Sequence, residues 1–336
     1  MRPSSTGLVA AARFGLPGDP AAPQPAPRIG QVDIALASQD GLLGLLRASV
    51  NAGAVEADGV AAASVREQWL RAVATSTDIE GVIVRTAAVL DDHGVRWRLT
   101  KGAALAHLDY GPQPGVRTFR DMDLMIHPSD WTTAVAALTA AGHRRRTPEP
   151  AAGYDQRFGK GATLIEPGGL QADLHLRFAV GRFGVTSISE QLFEGHDSLL
   201  LGDRSIPTLN GPDRLLHACY HLVLGGDSGL RVTRDVVQLL TVTRVDWEAT
   251  VETARRWRAT AIVARAFVNA WDRLDLVDSH PAIDWAKATQ IGRRDRRAMA
   301  VFEQERSFRR QALTAVSALP LSELPAFVRC HVGSHS

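Results

Sequence analysis

Apolar positions recur with mostly helical spacing from Val32 to about His93, through the Leu42, Leu43, Leu45 and Leu46 cluster and then Trp69, Val73, Ile79, Val82, Ile83, Val89 and Leu90. The period then changes. Val95 to Leu99 alternates apolar and basic residues, as a half-buried strand does. Lys101-Gly102 breaks that strand, and Ala103 to Leu108 reads as a short helix. Gly111, Pro112, Pro114 and Gly115 predict a loop, and Asp121 to Ile126 a second strand. Pro128-Ser129-Asp130 starts a helix with an apolar face of Trp131, Val135 and Leu138, ended by Gly142. Strand candidates follow at Tyr154–Phe158, Ala162–Ile165 and Leu170–Phe178, the last two joined by a Gly168-Gly169 hairpin signal. From Asn210 the helical period returns. Asn210 or Asp213 caps a helix carrying Leu215, Leu216, Cys219, Leu222 and Val223; Arg231–Val242 is a second, and Trp247–Trp271 holds one or two more.

This pattern divides the chain into four parts. Residues 1–30 are rich in Pro and Ala and read as a disordered tail. Residues 31–93 form a helical segment, 94–208 a mixed α/β centre, and 209–336 a C-terminal helical domain.

Composition narrows the function. The formal charge is only +2 over 336 residues, which argues against nucleic acid or an anionic membrane as partner. Cys219 and Cys330 are too few for a disulfide framework or a Cys-rich zinc site. No apolar run has the roughly 18 to 20 residues a membrane span needs. Gly7, Gly15, Pro17 and Gly18 interrupt the N-terminus, so a cytoplasmic protein is expected. Of the 38 Lys and Arg residues only Lys101, Lys160 and Lys287 are lysines, which makes each lysine notable.

The chemistry centres on Asp121-Met-Asp123. Residues two apart on a strand share a face, so the two carboxylates sit side by side while Met122 and Leu124 turn to a core. Adjacent carboxylates repel, and a divalent cation such as Mg²⁺ resolves that. In the candidate strand Leu170–Phe178, Gln171, Asp173, His175 and Arg177 share the polar face. If it lies beside the Asp121 strand, Asp173 completes a cluster able to hold metal for phosphoryl transfer. Upstream, Thr100-Lys101-Gly102-Ala103 passes from strand to helix, where a glycine and free helix N–H groups can cradle phosphate.

The order of these motifs, Leu99-Thr-Lys101-Gly102-Ala-Ala, Gly115-Val-Arg117-Thr-Phe-Arg-Asp121-Met-Asp123, then Asp173-Leu-His175-Leu-Arg177, resembles the bacterial uncharacterised nucleotidyltransferase family, a branch of the polymerase-beta-like superfamily. His217-Ala-Cys-Tyr-His221 and Arg231-Val-Thr-Arg-Asp235 echo its helical part. The resemblance implies an α+β fold: a small mixed β-sheet core flanked by helices, with N-terminal helices and a C-terminal helical domain. It implies transfer of a nucleoside monophosphate from an NTP, with ATP expected, to a hydroxyl of a small-molecule, peptide or protein acceptor. Asp121, Asp123 and Asp173 match the metal-binding and catalytic acids, for Mg²⁺ or Mn²⁺. Lys101, Gly102, Ala103 and Arg117 match the nucleotide side, and His175 and Arg177 are candidate substrate contacts. Ala103 departs from the Gly-Ser or Gly-Gly of many superfamily loops and lacks their hydroxyl.

Arg117 could equally pair with Asp121. His217 and His221 read as helix packing, Arg231 and Asp235 as an i, i+4 ion pair. His143–Arg146 reads as a solvated turn, and Arg293–Arg297 as a solvated helix face. The alternative function is a catalytically silent scaffold of the same fold, in a biosynthetic or toxin–antitoxin system.

Overall fold

The computed structural model describes residues 5–17, 25–111, 115–185, 189–225 and 229–303. Pro112, Pro114, Cys330 and residues 304–336 of the expected C-terminal domain lie outside the described residues. The chain opens with α1 (Thr6–Arg13), α2 (Gln31–Asp40), α3 (Leu43–Asn51) and the long α4 (Gly59–Asp92). The centre follows as β1 (Trp97–Leu99), α5 (Ala103–Leu108), β2 (Met122–Ile126), α6 (Trp131–Ala140), β3 (Arg144–Arg145), α7 (Tyr154–Arg157), β4 (Gly161–Ile165), β5 (Gln171–His175), α8 (Arg182–Val185), β6 (Asp197–Leu201) and β7 (Arg204–Thr208). It closes with α9 (Gly211–Leu224), α10 (Leu230–Thr241), α11 (Trp247–Arg256), α12 (Thr260–Arg273), α13 (Pro281–Ala288) and α14 (Arg293–Glu303).

Among the described residues the strands form one mixed sheet in the order β3-β4-β5-β2-β1-β7-β6. β2 is central: it runs antiparallel to β1 and parallel to β5. Its two faces enter different cores. Met122, Leu124 and Ile126 pack with Ile79, Ile83 and Leu90 of α4 and Trp131 and Leu138 of α6. Met125 faces the other way, into the core of the N- and C-terminal helices. Every residue of β2 is therefore buried, and Asp123 shares the helical side with Met125. Fully burying each such Leu, Ile or Met contributes about 1.5–3 kcal/mol.

The first helices pack against the later ones. Leu8, Ile34, Leu42 and Leu46 of the first helices share a core with Leu216, Val236 and Phe267. Arg234 of α10 donates to the carbonyls of Ala12 and Phe14, both at 2.7 Å. The expected tail through residue 30 thus contains a helix: Ser5 caps α1, and Leu8, Ala10, Ala11 and Ala12 are buried. Its Pro-rich composition belongs to the stretch after Leu16. α3 packs so closely on the loop after residue 114 that a Cβ at Gly44 would stand 2.0 Å from the Gly115 carbonyl oxygen.

Three other expectations change. Tyr154–Phe158 is a single helical turn, begun by Gly153 in the left-handed region, where Glu149 accepts from the Asp155 N–H. Arg144–Arg145 is an edge strand paired with β4, where a solvated turn was expected. The β6–β7 hairpin was not anticipated, and its β7 pairs in parallel with β1 through Leu99 and Thr208. Asn210 caps α9 as expected, accepting from the Asp213 N–H at 2.9 Å.

Candidate active site

The site lies where β1 ends, β2 begins and β5 runs alongside. The parallel register sets Asp123 opposite Asp173 and Met125 opposite His175. Asp121, one residue before β2, reaches the same side. Ligand atoms of Asp121, Asp123 and Asp173 all lie within 4.8 Å of one another. The strand carrying Asp173 thus lies beside the strand that follows Asp121, and the three acids form one cluster. β4 supplies an orienting group: Thr163 Oγ1 donates to Asp173 Oδ1 at 2.5 Å.

Asp123 is the electrostatic centre. Its side chain is fully buried, and Lys101 Nζ stands 3.0 Å from Oδ1. His175 Nε2 lies 2.9 Å from the same oxygen. Oδ2 is buried with no hydrogen-bond partner. Burial alone would push this carboxyl up, yet Lys101 and His175 outweigh it and hold Asp123 well below the usual carboxylate range. Asp121 moves up instead, because Asp123 repels its charge and burial adds to that. Lys101 also lies 3.9 Å from Asp121. Burial works against its ammonium, but Asp123 and Asp121 prevail and raise its pKa. Burial, then Lys160, lowers His175 despite Asp123.

The turn beside this cluster is fixed from both sides. The Thr100 N–H donates to the Asp123 carbonyl at 3.0 Å. Gly102 caps α5 with φ 59° and ψ −115°, a left-handed φ that favours glycine. A Cβ there would meet nothing closer than 3.5 Å, so conformation rather than space demands the glycine. Ala103 follows, buried in the first turn of α5.

Arg117 requires a correction. Its side chain is 1% exposed, and Nε and Nη2 donate to the two oxygens of Asp235 at 2.8 and 2.7 Å. Nη1 donates to the Gly102 carbonyl at 3.2 Å. Its donors are spent inside the protein, on neither phosphate nor Asp121. Asp235 also accepts from Tyr110 Oη at 2.6 Å, so its contact partners are Arg117 and Tyr110, and Arg231 bears on it only through charge. Arg231 donates instead to the Asp40 carbonyl at 3.0 Å, close enough to Lys101 and Asp121 to bear on both charges. Arg177 donates to the Gln156 carbonyl at 2.7 Å. His217 does pack, its ring 4.6 Å from that of Phe178. Yet His217 and His221 also line a small cavity with Thr100 and Lys101. Sequence reasoning missed Arg231 and Lys160 as charges near the site; the rarity of lysine was a signal for the latter.

A three-carboxylate cluster beside a glycine-capped helix start, on a mixed sheet closed by helices, is the equipment of a nucleotidyl-transferring enzyme. The chain belongs to the uncharacterised nucleotidyltransferase family, whose family model matches residues 33–275. Two solved structures are similar. One is the antibiotic-resistance factor ANT(2'')-Ia in solution, at 12% identity and TM-score 0.37, covering 55% of this chain and 93% of the other. The second is an antigenic nucleotidyltransferase-like protein from Paracoccidioides brasiliensis, at 15% identity and TM-score 0.37, covering 61% and 95%. The comparison with curated proteins gives no match. No helix among the described residues is long and apolar enough to cross a membrane.

Proposed function

We propose that this protein is a metal-dependent nucleotidyltransferase that moves a nucleoside monophosphate from an NTP, ATP in the first instance, to a hydroxyl of a small-molecule, peptide or protein acceptor. The reading is carried by the convergence of Asp121, Asp123 and Asp173 within 4.8 Å. The buried, partnerless Oδ2 of Asp123 fits a cation ligand. Asp121, Asp123 and Asp173 would hold Mg²⁺ or Mn²⁺, which when bound supplies neutralisation of phosphate charge.

The chain's own residues do the rest. Asp173, oriented by Thr163, takes the proton of the acceptor hydroxyl. A bond forms between acceptor oxygen and the α-phosphorus, and the bond from that phosphorus to the departing pyrophosphate breaks. Backbone N–H groups at the Gly102-Ala103 turn receive the phosphates. His175 holds Asp123 rather than substrate. NTP-dependent chemistry of this kind suits the cytoplasm. The intact acid cluster supports the enzyme over a silent scaffold.

Purified protein given α-labelled NTPs, Mg²⁺ and a panel of hydroxylated acceptors should transfer label. Asp121→Asn should abolish that transfer while leaving the thermal melt unchanged. Full transfer by Asp121→Asn would end the proposal.

A further inference from the structure

Lys101 stands where a metal-free acid cluster most needs charge. Three carboxylates converge there, and its ammonium is the group 3.0 Å from Asp123 and 3.9 Å from Asp121. A divalent ion held by the same carboxylates would meet that ammonium at close range. At such a distance like charges repel strongly in a partly dry site. Both cations cannot keep Asp123 cheaply, so the ammonium needs somewhere to go.

The structure offers a second seat. A cavity of about 10 Å³, room for one water, has Thr100, Lys101, Leu105, His217 and His221 in its lining, and also Asp235 and Arg214, whose charges are paired with Arg117 and Asp109. An ammonium head is of that size. Among the described residues, neither the His217 nor the His221 ring has a hydrogen bond. The two imidazoles are one helical turn apart on α9 and present to the same cavity. Burial, then Lys101 itself, holds both well below the ordinary histidine range, so each ring keeps a nitrogen lone pair.

We propose that Lys101 is the resident cation of the acid cluster: its ammonium neutralises Asp123 in the metal-free protein and moves to the His217–His221 cavity when a divalent ion enters. The inference rests on the metal-dependent reading above. It gives the histidine pair a task, as acceptors for a displaced lysine. It also explains a lysine in an arginine-rich chain, because a planar guanidinium is too large for a water-sized seat.

Mn²⁺ titration followed by electron paramagnetic resonance tests this without any turnover. Lys101→Met should bind Mn²⁺ about tenfold more tightly than wild type, since the competing charge is gone. Lys101→Arg should bind it more weakly, since the guanidinium stays on Asp123. His221→Leu should weaken Mn²⁺ binding when Lys101 is present and leave it unchanged in Lys101→Met. Equal or weaker binding by Lys101→Met overturns the inference. So does an equal effect of His221→Leu in both backgrounds. If Lys101→Met does not fold, tighter binding by Lys101→Arg overturns it alone. Asp121→Asn separates the two ideas: wild-type Mn²⁺ affinity in that variant defeats the metal reading itself, whatever Lys101 does.

Discussion

Asp235→Ala should be among the most damaging single changes in this chain, although Asp235 lies outside the acid cluster. The Arg117–Asp235 pair is buried at both ends, with side chains 1% and 3% exposed. Burial pushes Asp235 up, but Arg117 outweighs it and keeps the carboxylate ionised. Among the described residues, removing the carboxylate leaves the buried guanidinium with only the Gly102 carbonyl as hydrogen-bond partner and strands the Tyr110 hydroxyl. Breaking such a pair costs about 3–5 kcal/mol, and an orphaned hydroxyl about 1–3 more. Urea unfolding monitored by tryptophan fluorescence would measure it, with ΔG extrapolated to water. The double replacement Arg117→Met/Asp235→Leu should recover most of the loss, because it removes both charges together. The same variant should raise KM for the NTP, since the Gly102 carbonyl loses its anchor beside the phosphate turn. A cost below about 1 kcal/mol for Asp235→Ala would refute the argument that this pair is closed from water.

Two further predictions follow from neighbouring groups. Thr163→Val should weaken divalent-ion binding about 10- to 100-fold, because Asp173 loses the hydroxyl that orients it; calorimetric titration giving wild-type affinity would show that Asp173 needs no such support. Burial pushes Asp213, in the first turn of α9, up to about 6 from its ordinary 3.8. Between those values the folded chain binds a proton that the unfolded chain has released, so stability falls as pH rises from about 4 to 6, by up to about 3 kcal/mol. Asp213→Asn should flatten that slope in denaturant melts across the same range, and an unchanged slope would assign it to other groups.

Local signals explain what was legible in the sequence. Asp121-Met-Asp123 declares a shared face through strand period alone, and the structure places both carboxylates together with Asp173. The Gly168-Gly169 turn joins β4 and β5 as its glycines require, with the Glu166 N–H donating to the Leu170 carbonyl. What escaped depends on partners far along the chain. β7 contains Pro207, which argues against a strand, yet it pairs with β1 more than 100 residues earlier. Arg117 looked like a phosphate ligand because it precedes the acid pair. Only tertiary packing brings Asp235, 118 residues away, against it. Tyr154–Phe158 has strand-like aromatic ends, but a left-handed Gly153 turns the chain into a helical turn instead.

The position of the acid cluster also follows from the sheet. Antiparallel neighbours can be joined by short hairpins, but β2 and β5 run parallel, so helix α6 and strands β3 and β4 must intervene. That detour brings β4 alongside β5 and delivers Thr163 to Asp173. It also leaves β2 buried on both faces, with its helical side open to residues from α9 and α10. Those helices carry the histidines and Arg231, while Lys101 sits in the turn after β1. The sheet therefore contributes negative charge and the surrounding segments contribute positive charge and lone pairs. A chain that buried Asp123 without them would pay for an uncompensated carboxylate in a dry core. On this logic the helical domain is an electrostatic part of the site, and substitutions such as Arg231→Leu should shift metal and nucleotide affinity in opposite directions: tighter Mn²⁺, weaker NTP. Parallel loss of both would mean that Arg231 acts only by holding α10 to the Asp40 carbonyl.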